Sequence, residues 1–227
     1  MEFSAAYALS VGQIIWIDLL LSGDNAVVIA LACRSLPERQ RRWGILLGTG
    51  AAIGLRIFFA LIISQVMQVP FLMSLGGILL LWIAVKLLKG EETGGHDVAA
   101  SEKLWQAVRT IAMADAVMSL DNVVAISAAS QGDYWLFIFG LAFSIPLIIA
   151  GATVISEIIR RFPIFVWAGA GLLGWIAGEM LSKDPGLHDL GLPRGDALHY
   201  SAAILGAAIV IGLGALYRHR KSAAELG

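Results

Sequence analysis

Two short acidic patterns stand inside long apolar stretches of the chain. Residues 18–25 read Asp18-Leu-Leu-Leu-Ser22-Gly23-Asp24-Asn25, and residues 115–122 read Asp115-Ala-Val-Met-Ser119-Leu120-Asp121-Asn122. Both fit D-x-x-x-S-x-D-N, and each position of the second lies 97 residues after its counterpart in the first. A carboxylate at the centre of a spanning helix costs about 2.5–3.5 kcal/mol on insertion scales, so Asp18, Asp24, Asp115 and Asp121 together cost on the order of 10 kcal/mol. Four such groups therefore point to a ligand. Carboxylate, hydroxyl and amide oxygens form a hard-donor shell, the preference of Mn2+, Ca2+ and Mg2+. On an ideal helix Asp18, Ser22 and Asn25 share a face, with Asp24 about 100° away from Asn25. Convergence of all four groups on one point requires local unwinding, which Gly23 permits in the first copy and Leu120 disfavours in the second. Ser22, Asn25, Ser119 and Asn122 could equally serve only as interhelical hydrogen-bonding groups.

The other donors argue by their placement. His96, His188, His199 and His219 fall in connectors or at the ends of apolar stretches, and Cys33 is the single cysteine. A deep Zn2+ or Cu+ site lacks its nitrogen and sulfur ligands, and no disulfide can form within one chain. Arg56 lies in the middle of an apolar stretch and must face a carboxylate, carbonyl dipoles or water; an ion pair or gate with one of the motif aspartates is the expectation. Lys86 and Glu179, near the ends of equivalent stretches, are expected to snorkel to the interface or to pair. His188, Asp189, Asp196 and His199 read as a solvated polar loop. Glycines at 48, 50 and 54 and at 169, 171, 174 and 178 offer small faces for close helix packing, and Pro146 is expected to bend its helix.

The elements that must position these residues are membrane helices. Of the 227 residues 58% are hydrophobic and 15% charged, and the mean hydropathy is +0.79. Soluble domains carry about 25% charged residues. Seven stretches are long and apolar enough to span a bilayer: 8–32, 43–67, 71–88, 107–129, 134–159, 164–181 and 199–217. The first ten residues hold no Lys or Arg, so the first stretch is expected to be retained rather than cleaved. Eleven of the 16 basic residues fall in the first, third and fifth connectors and the tail, and Arg109 stands at the start of the fourth stretch on the same side, which places the N-terminus outside and the C-terminus in the cytoplasm. A net charge of −1 leaves no strongly basic face for nucleic acid.

The motif is one part of a longer repeat. Trp82-Ile-Ala-Val-Lys86-Leu-Leu88 echoes Trp175-Ile-Ala-Gly-Glu179-Met-Leu181, displaced by 93 residues. The expected architecture is all-α and polytopic, one transmembrane domain over 1–227 made of a three-helix repeat at 8–88, a second at 105–181 and a seventh helix at 199–217. An odd number of spans per repeat inverts the second relative to the first. Many secondary transporters are built this way, with the site at the repeat interface near the midplane.

With Gly76-Gly-Ile-Leu-Leu-Leu-Trp82-Ile-Ala-Val-Lys86, the paired motifs resemble the TerC family of integral membrane proteins over nearly the whole chain. That family is related to LysE-type exporters and includes bacterial manganese exporters. The resemblance implies export of Mn2+ across a bacterial inner membrane through Asp18, Ser22, Asp24 and Asn25 with Asp115, Ser119, Asp121 and Asn122. Mn2+ would be cargo, and no resident cofactor is implied. Carboxylates bind protons and cations in turn, so proton exchange is the expected drive. The alternative is export of an organic solute such as a basic amino acid. No G-x-x-x-x-G-K-[ST] loop is present, so direct ATP drive would need a partner; Leu21 breaks the G-x-G-D pattern of an aspartyl intramembrane protease, which speaks against an enzyme, and the stretch 199–217 has no lysine for the retinal Schiff base of a seven-helix photoreceptor. The expected partners are the lipid bilayer and a divalent cation, and the sequence carries no signal for oligomeric state.

Overall fold

The computed structural model describes residue 12 and residues 23–66, 69–89, 100–129, 134–193 and 195–224. Within these, backbone alone is described at 60–61, 63–66, 100, 120–129, 134–144 and 220–224. The regular structure among the described residues is helical: α1 (Gly23–Cys33), α2 (Glu38–Val66), α3 (Leu72–Lys89), α4 (Ala100–Ala129), α5 (Tyr134–Arg161), α6 (Ile164–Lys183), α7 (Pro185–Asp189) and α8 (Asp196–Ala224). Four segments of the described residues are long and apolar enough to cross a membrane: Glu38–Phe59, Leu72–Lys89, Ile164–Lys183 and Asp196–His219.

Several helices run past the apolar stretches that announce them. α2 starts at Glu38 rather than residue 43, and α4 at Ala100 rather than 107. These first turns are polar, and an acidic residue, Glu38 or Glu102, complements the positive helix N-terminus. α3 and α5 end on Lys86 and Lys89 and on Arg160 and Arg161, the matching arrangement at the C-terminal end. Pro146 lies inside α5, and α7 adds a short helix to what the sequence reads as a plain connector.

Large side chains such as Leu80, Ile83 and Leu173 fill the core, while others face outward and α6 buries a row of small residues. Leu75, Ile78, Trp82, Val154, Ile204 and Leu205 are all more than half exposed, whereas Gly169, Ala170, Gly171, Gly174, Ala177 and Gly178 of α6 are buried. Lipid is as apolar as leucine, so helices in it associate through close backbone approach rather than by hiding large side chains. α6 packs most extensively on α8, α2 on α4, and α3 on α6. At the α6–α8 crossing a Cβ on Gly174 would lie 2.6 Å from the Gly206 carbonyl oxygen, and one on Gly178 would run into the carbonyl of Ala202. Gly76 of α3 faces Val117 of α4 and Met180 of α6, and Gly169 of α6, 93 residues later, faces Val27 and Leu31 of α1.

The two ends of the bundle differ. At one, Lys89 lies 4.9 Å from the Tyr217 ring centre, and Glu157 binds Arg160 and Arg161 at 2.8 Å each. At the other, Asp184 is fully buried and ties three segments together. Its carboxylate accepts the Ser74 N–H at 2.7 Å, the Gly186 N–H at 2.8 Å and the Leu187 N–H at 3.4 Å. It thus caps α7 and pins the start of α3 beside the end of α6. Burial pushes this carboxyl up, but the Ser74 and Gly186 amides outweigh that and hold it below its ordinary value of 3.8. Phe71 beside it takes a left-handed φ of 61°, with its ring against Gly186, where a Cβ would come within 2.9 Å.

Two outcomes follow. Gly178→Ala should lower the melting temperature in detergent, by an overpacking cost of about 1–3 kcal/mol, because backbone rather than a movable side chain stands in the way. Gly50→Ala, into open space, should not. Asp184→Ala should lose about 1.5–3 kcal/mol, the worth of hydrogen bonds to a charged group. Because the folded carboxyl titrates below the unfolded one, its contribution is complete above about pH 4 and disappears as pH falls through the folded value. Denaturant melts of wild type and variant should therefore converge only in strong acid.

Candidate functional site

One charged pair lies at mid-length in the bundle. Arg56 Nη2 of α2 donates to Asp115 Oδ1 of α4 at 2.8 Å, and the two side chains are only 1% and 4% exposed. The carboxylate's other oxygen accepts the Ser119 hydroxyl at 2.9 Å, one turn further along α4. Gly48 makes this approach possible, because a Cβ there would sit 2.5 Å from Ile111 of α4. The four-residue spacing that puts Ser119 over Asp115 is the spacing the sequence motif specifies.

The first motif copy reaches the same place. Asn25 of α1 is buried, and its backbone N–H donates to Asp24 Oδ1 at 2.8 Å. Asp24 is half-buried and close enough to interact electrostatically with both Arg56 and Asp115. Asp24 of α1 thus lies within electrostatic range of the Arg56–Asp115 pair that joins α2 to α4. Asp18 and Ser22 lie outside the described residues, as do the side chains of Asp121 and Asn122. The backbone of α4 is helical without a break from Asp115 to Asn122, so no unwinding occurs in the second copy, whereas the first copy is described only from Gly23, where α1 begins. A continuous helix keeps Asp115, Ser119 and position 122 on one face and turns position 121 about 100° from its neighbour. Among the described residues, no group of three or more His, Cys, Asp and Glu side chains forms a metal-binding cluster.

Lys86 and Glu179 stand apart from this centre. Lys86 lies over the Trp82 ring at 5.4 Å, and Glu179 Oε1 accepts the Trp175 indole N–H at 2.8 Å, so each half uses the tryptophan one turn earlier to hold its charge. Glu179 also lies 3.2 Å from His199 Nε2 and 3.9 Å from Lys183. The ring's other nitrogen is 3.1 Å from the Ser182 hydroxyl. His199 therefore belongs to a link between α6 and α8, not to a solvated loop. Asp184 was not singled out in the sequence, although Asp184-Pro185-Gly186 carries a helix-start signature, with a capping side chain before proline in the first turn.

A family model described as integral membrane protein TerC family matches residues 3–222. The chain belongs to the TerC family. It is 43% identical over 178 residues to the uncharacterized membrane protein YjbE of Bacillus subtilis (strain 168), covering 78% of this chain and 81% of that one. It is 27% identical over 179 residues to YceF of the same organism, also described as an uncharacterized membrane protein, covering 75% and 69%. It is 25% identical over 233 residues to the UPF0053 protein YegH of Escherichia coli (strain K12), covering 93% of this chain and 42% of YegH. No solved structure matches. The TerC match runs through both D-x-x-x-S-x-D-N copies and Arg56, so the charged centre lies within the part of the chain that defines the family.

A buried ion pair is destabilised far more by losing one partner than by losing both, since one alone leaves an uncompensated charge. Arg56→Met or Asp115→Leu alone should each cost about 3–5 kcal/mol, while the double variant should recover most of that. Thermal melts of the detergent-solubilised protein would show it; additive losses would mean that the two charges do not depend on each other.

Proposed function

We propose that this TerC protein is a secondary exporter of a divalent cation, Mn2+ in the first place, working at the centre formed by its two acidic motifs. The observation that carries this reading is the buried Arg56–Asp115 pair from the second motif, with Asp24 from the first motif within electrostatic range of both. An arginine in such a place acts as the resident counter-charge of a site whose cargo is also cationic. Arrival of a metal ion releases Asp115 from Arg56, and Asp24, Asp115, Asn25 and Ser119 then present oxygen atoms to it, with Asp18, Ser22 and Asn122 completing the shell and Asp121 joining it when α4 unwinds locally around Leu120. That donor set favours Mn2+ over Mg2+ by the ordinary affinity order and gives Zn2+ none of the nitrogen or sulfur ligands on which it gains. Protons returning to the carboxylates discharge the site and reset it.

The proposed frame is seven spans in two inverted three-helix repeats and a last helix, in a bacterial inner membrane with the N-terminus outside. It is supported by the matched Trp82–Lys86 and Trp175–Glu179 pairs, the matched glycines 76 and 169, and the gathering of basic residues at one end of the bundle. No chemistry beyond binding and release is required, so the protein is read as a carrier and not an enzyme. A guanidinium already seated on Asp115 favours a second reading, export of a basic amino acid.

Radioactive Mn2+ uptake into inverted vesicles separates the two. Uptake should rise with an imposed acid-inside gradient and be blocked by excess unlabelled Mn2+ but not by arginine or lysine. Asp24→Asn and Asp121→Asn should lower it by more than the roughly 10- to 100-fold that loss of a supporting partner costs a metal site. Wild-type rates in both variants, or competition by arginine alone, would reject metal export.

A further inference from the structure

The basic end of the bundle holds a cleft of about 500 Å3 between α2 and α5, with Glu38, Arg42 and Ile45 on one wall and Ile149, Ser156 and Glu157 on the other. On the helical wheel Glu38, Arg42, Ile45, Thr49 and Arg56 fall within about 60°, so one stripe of α2 leads from the cleft to the buried ion pair, about 16 Å from Ile45 to Arg56. Two hydroxyls on this line are left without protein partners. Ser156 lines the cleft, is buried, and its Oγ has no hydrogen-bond partner among the described residues; the same is true of Thr49 Oγ1, one turn below Ile45.

Helical hydroxyls ordinarily satisfy themselves on the carbonyl four residues back. Thr110 does so with Gln106 at 2.9 Å, and Thr153, beside Ser156 on α5, with Ile149 at 2.7 Å. Thr49 and Ser156 do not, although leaving a buried hydroxyl unbonded costs at least about 1–3 kcal/mol. Water or a passing ion removes that cost. At the cleft mouth, which Arg41 also lines, Arg42 pairs with Glu38 at 3.1 Å and both Arg160 and Arg161 pair with Glu157 at 2.8 Å. We infer that the α2–α5 cleft is the aqueous route by which a divalent cation reaches the Arg56–Asp115 pair from the basic end, with the Ser156 and Thr49 hydroxyls as successive oxygen ligands along it. This deepens the export reading and rests on it for the identity of the cargo.

Thiol labelling tests the route without depending on transport. In a Cys33→Ala background, single variants Ser156→Cys, Thr49→Cys and Ala152→Cys are exposed in inverted vesicles to a membrane-impermeant, positively charged thiosulfonate. Hydrated thiols at 156 and 49 should react at least about tenfold faster than the apolar-buried one at 152, and Mn2+ should slow the reaction at 49. A Thr49→Cys rate no faster than that of Ala152→Cys overturns the route. Labelling at 49 in vesicles that do not move Mn2+ keeps the route and rejects the cargo instead. Should the cysteine variants fail to fold, Thr49→Val, close in volume to threonine, should raise the KM for Mn2+ about tenfold while Thr49→Ser leaves it unchanged; equal values for the two overturn the role of the hydroxyl.

Discussion

A guanidinium and a carboxylate 2.8 Å apart, both almost wholly removed from the surface, form the constraint on which the rest of the structure depends. Neither charge can be left alone in so apolar a setting, so α2 and α4 must be held at one separation and in one register. The sequence supplies the means. Gly48 lets the helices close on Ile111, and Ser119 occupies the carboxylate oxygen that Arg56 does not. The same pair gives the proposed exporter its switch, because a site whose counter-charge is a tethered side chain can exchange that side chain for a free cation without ever holding bare carboxylates.

The remaining helices keep this centre in place by close backbone contact. At the α6–α8 crossing Gly174 and Gly178 meet Gly206 and Ala202 through their backbones, while Ile204 and Leu205 of α8 point outward. Such a core transmits position well, because glycine has no rotamers to absorb a shift. Asp184 does the equivalent work with charge at the far end of the bundle, joining α3, α6 and α7 through three amide donors. The link between Glu179 and His199 sits at the same end, so α6 is anchored to α8 by polar contacts above a crossing made of small residues.

Most of the helices were legible because hydropathy and helix propensity are local. Runs such as 71–88 and 164–181 announce themselves and correspond to α3 and α6 within a residue or two. Helix ends beyond the apolar core were less visible, since the polar first turns of α2 and α4 resemble loop in composition. α7 was missed because five residues carry no periodicity, although the Asp184-Pro185-Gly186 cap was there to be read. Thr49 and Ser156 had no signal of their own; a hydroxyl in a membrane helix ordinarily means a bond to its own backbone.

By itself the sequence determined that this is a helical membrane protein with a duplicated acidic motif, because insertion energy and period depend on residue types alone. It also showed that Arg56 must face a carboxylate, carbonyl dipoles or water. Which aspartate answers, and that Asp24 of the first motif comes within electrostatic range of the pair, depends on contacts between residues 59 apart in the chain, Arg56 and Asp115, and on the packing of α1 into the bundle. Those were decided by the tertiary structure, through the close approach of helices at glycine and alanine. Composition records that small residues are present, and only their arrangement in space sets which faces meet.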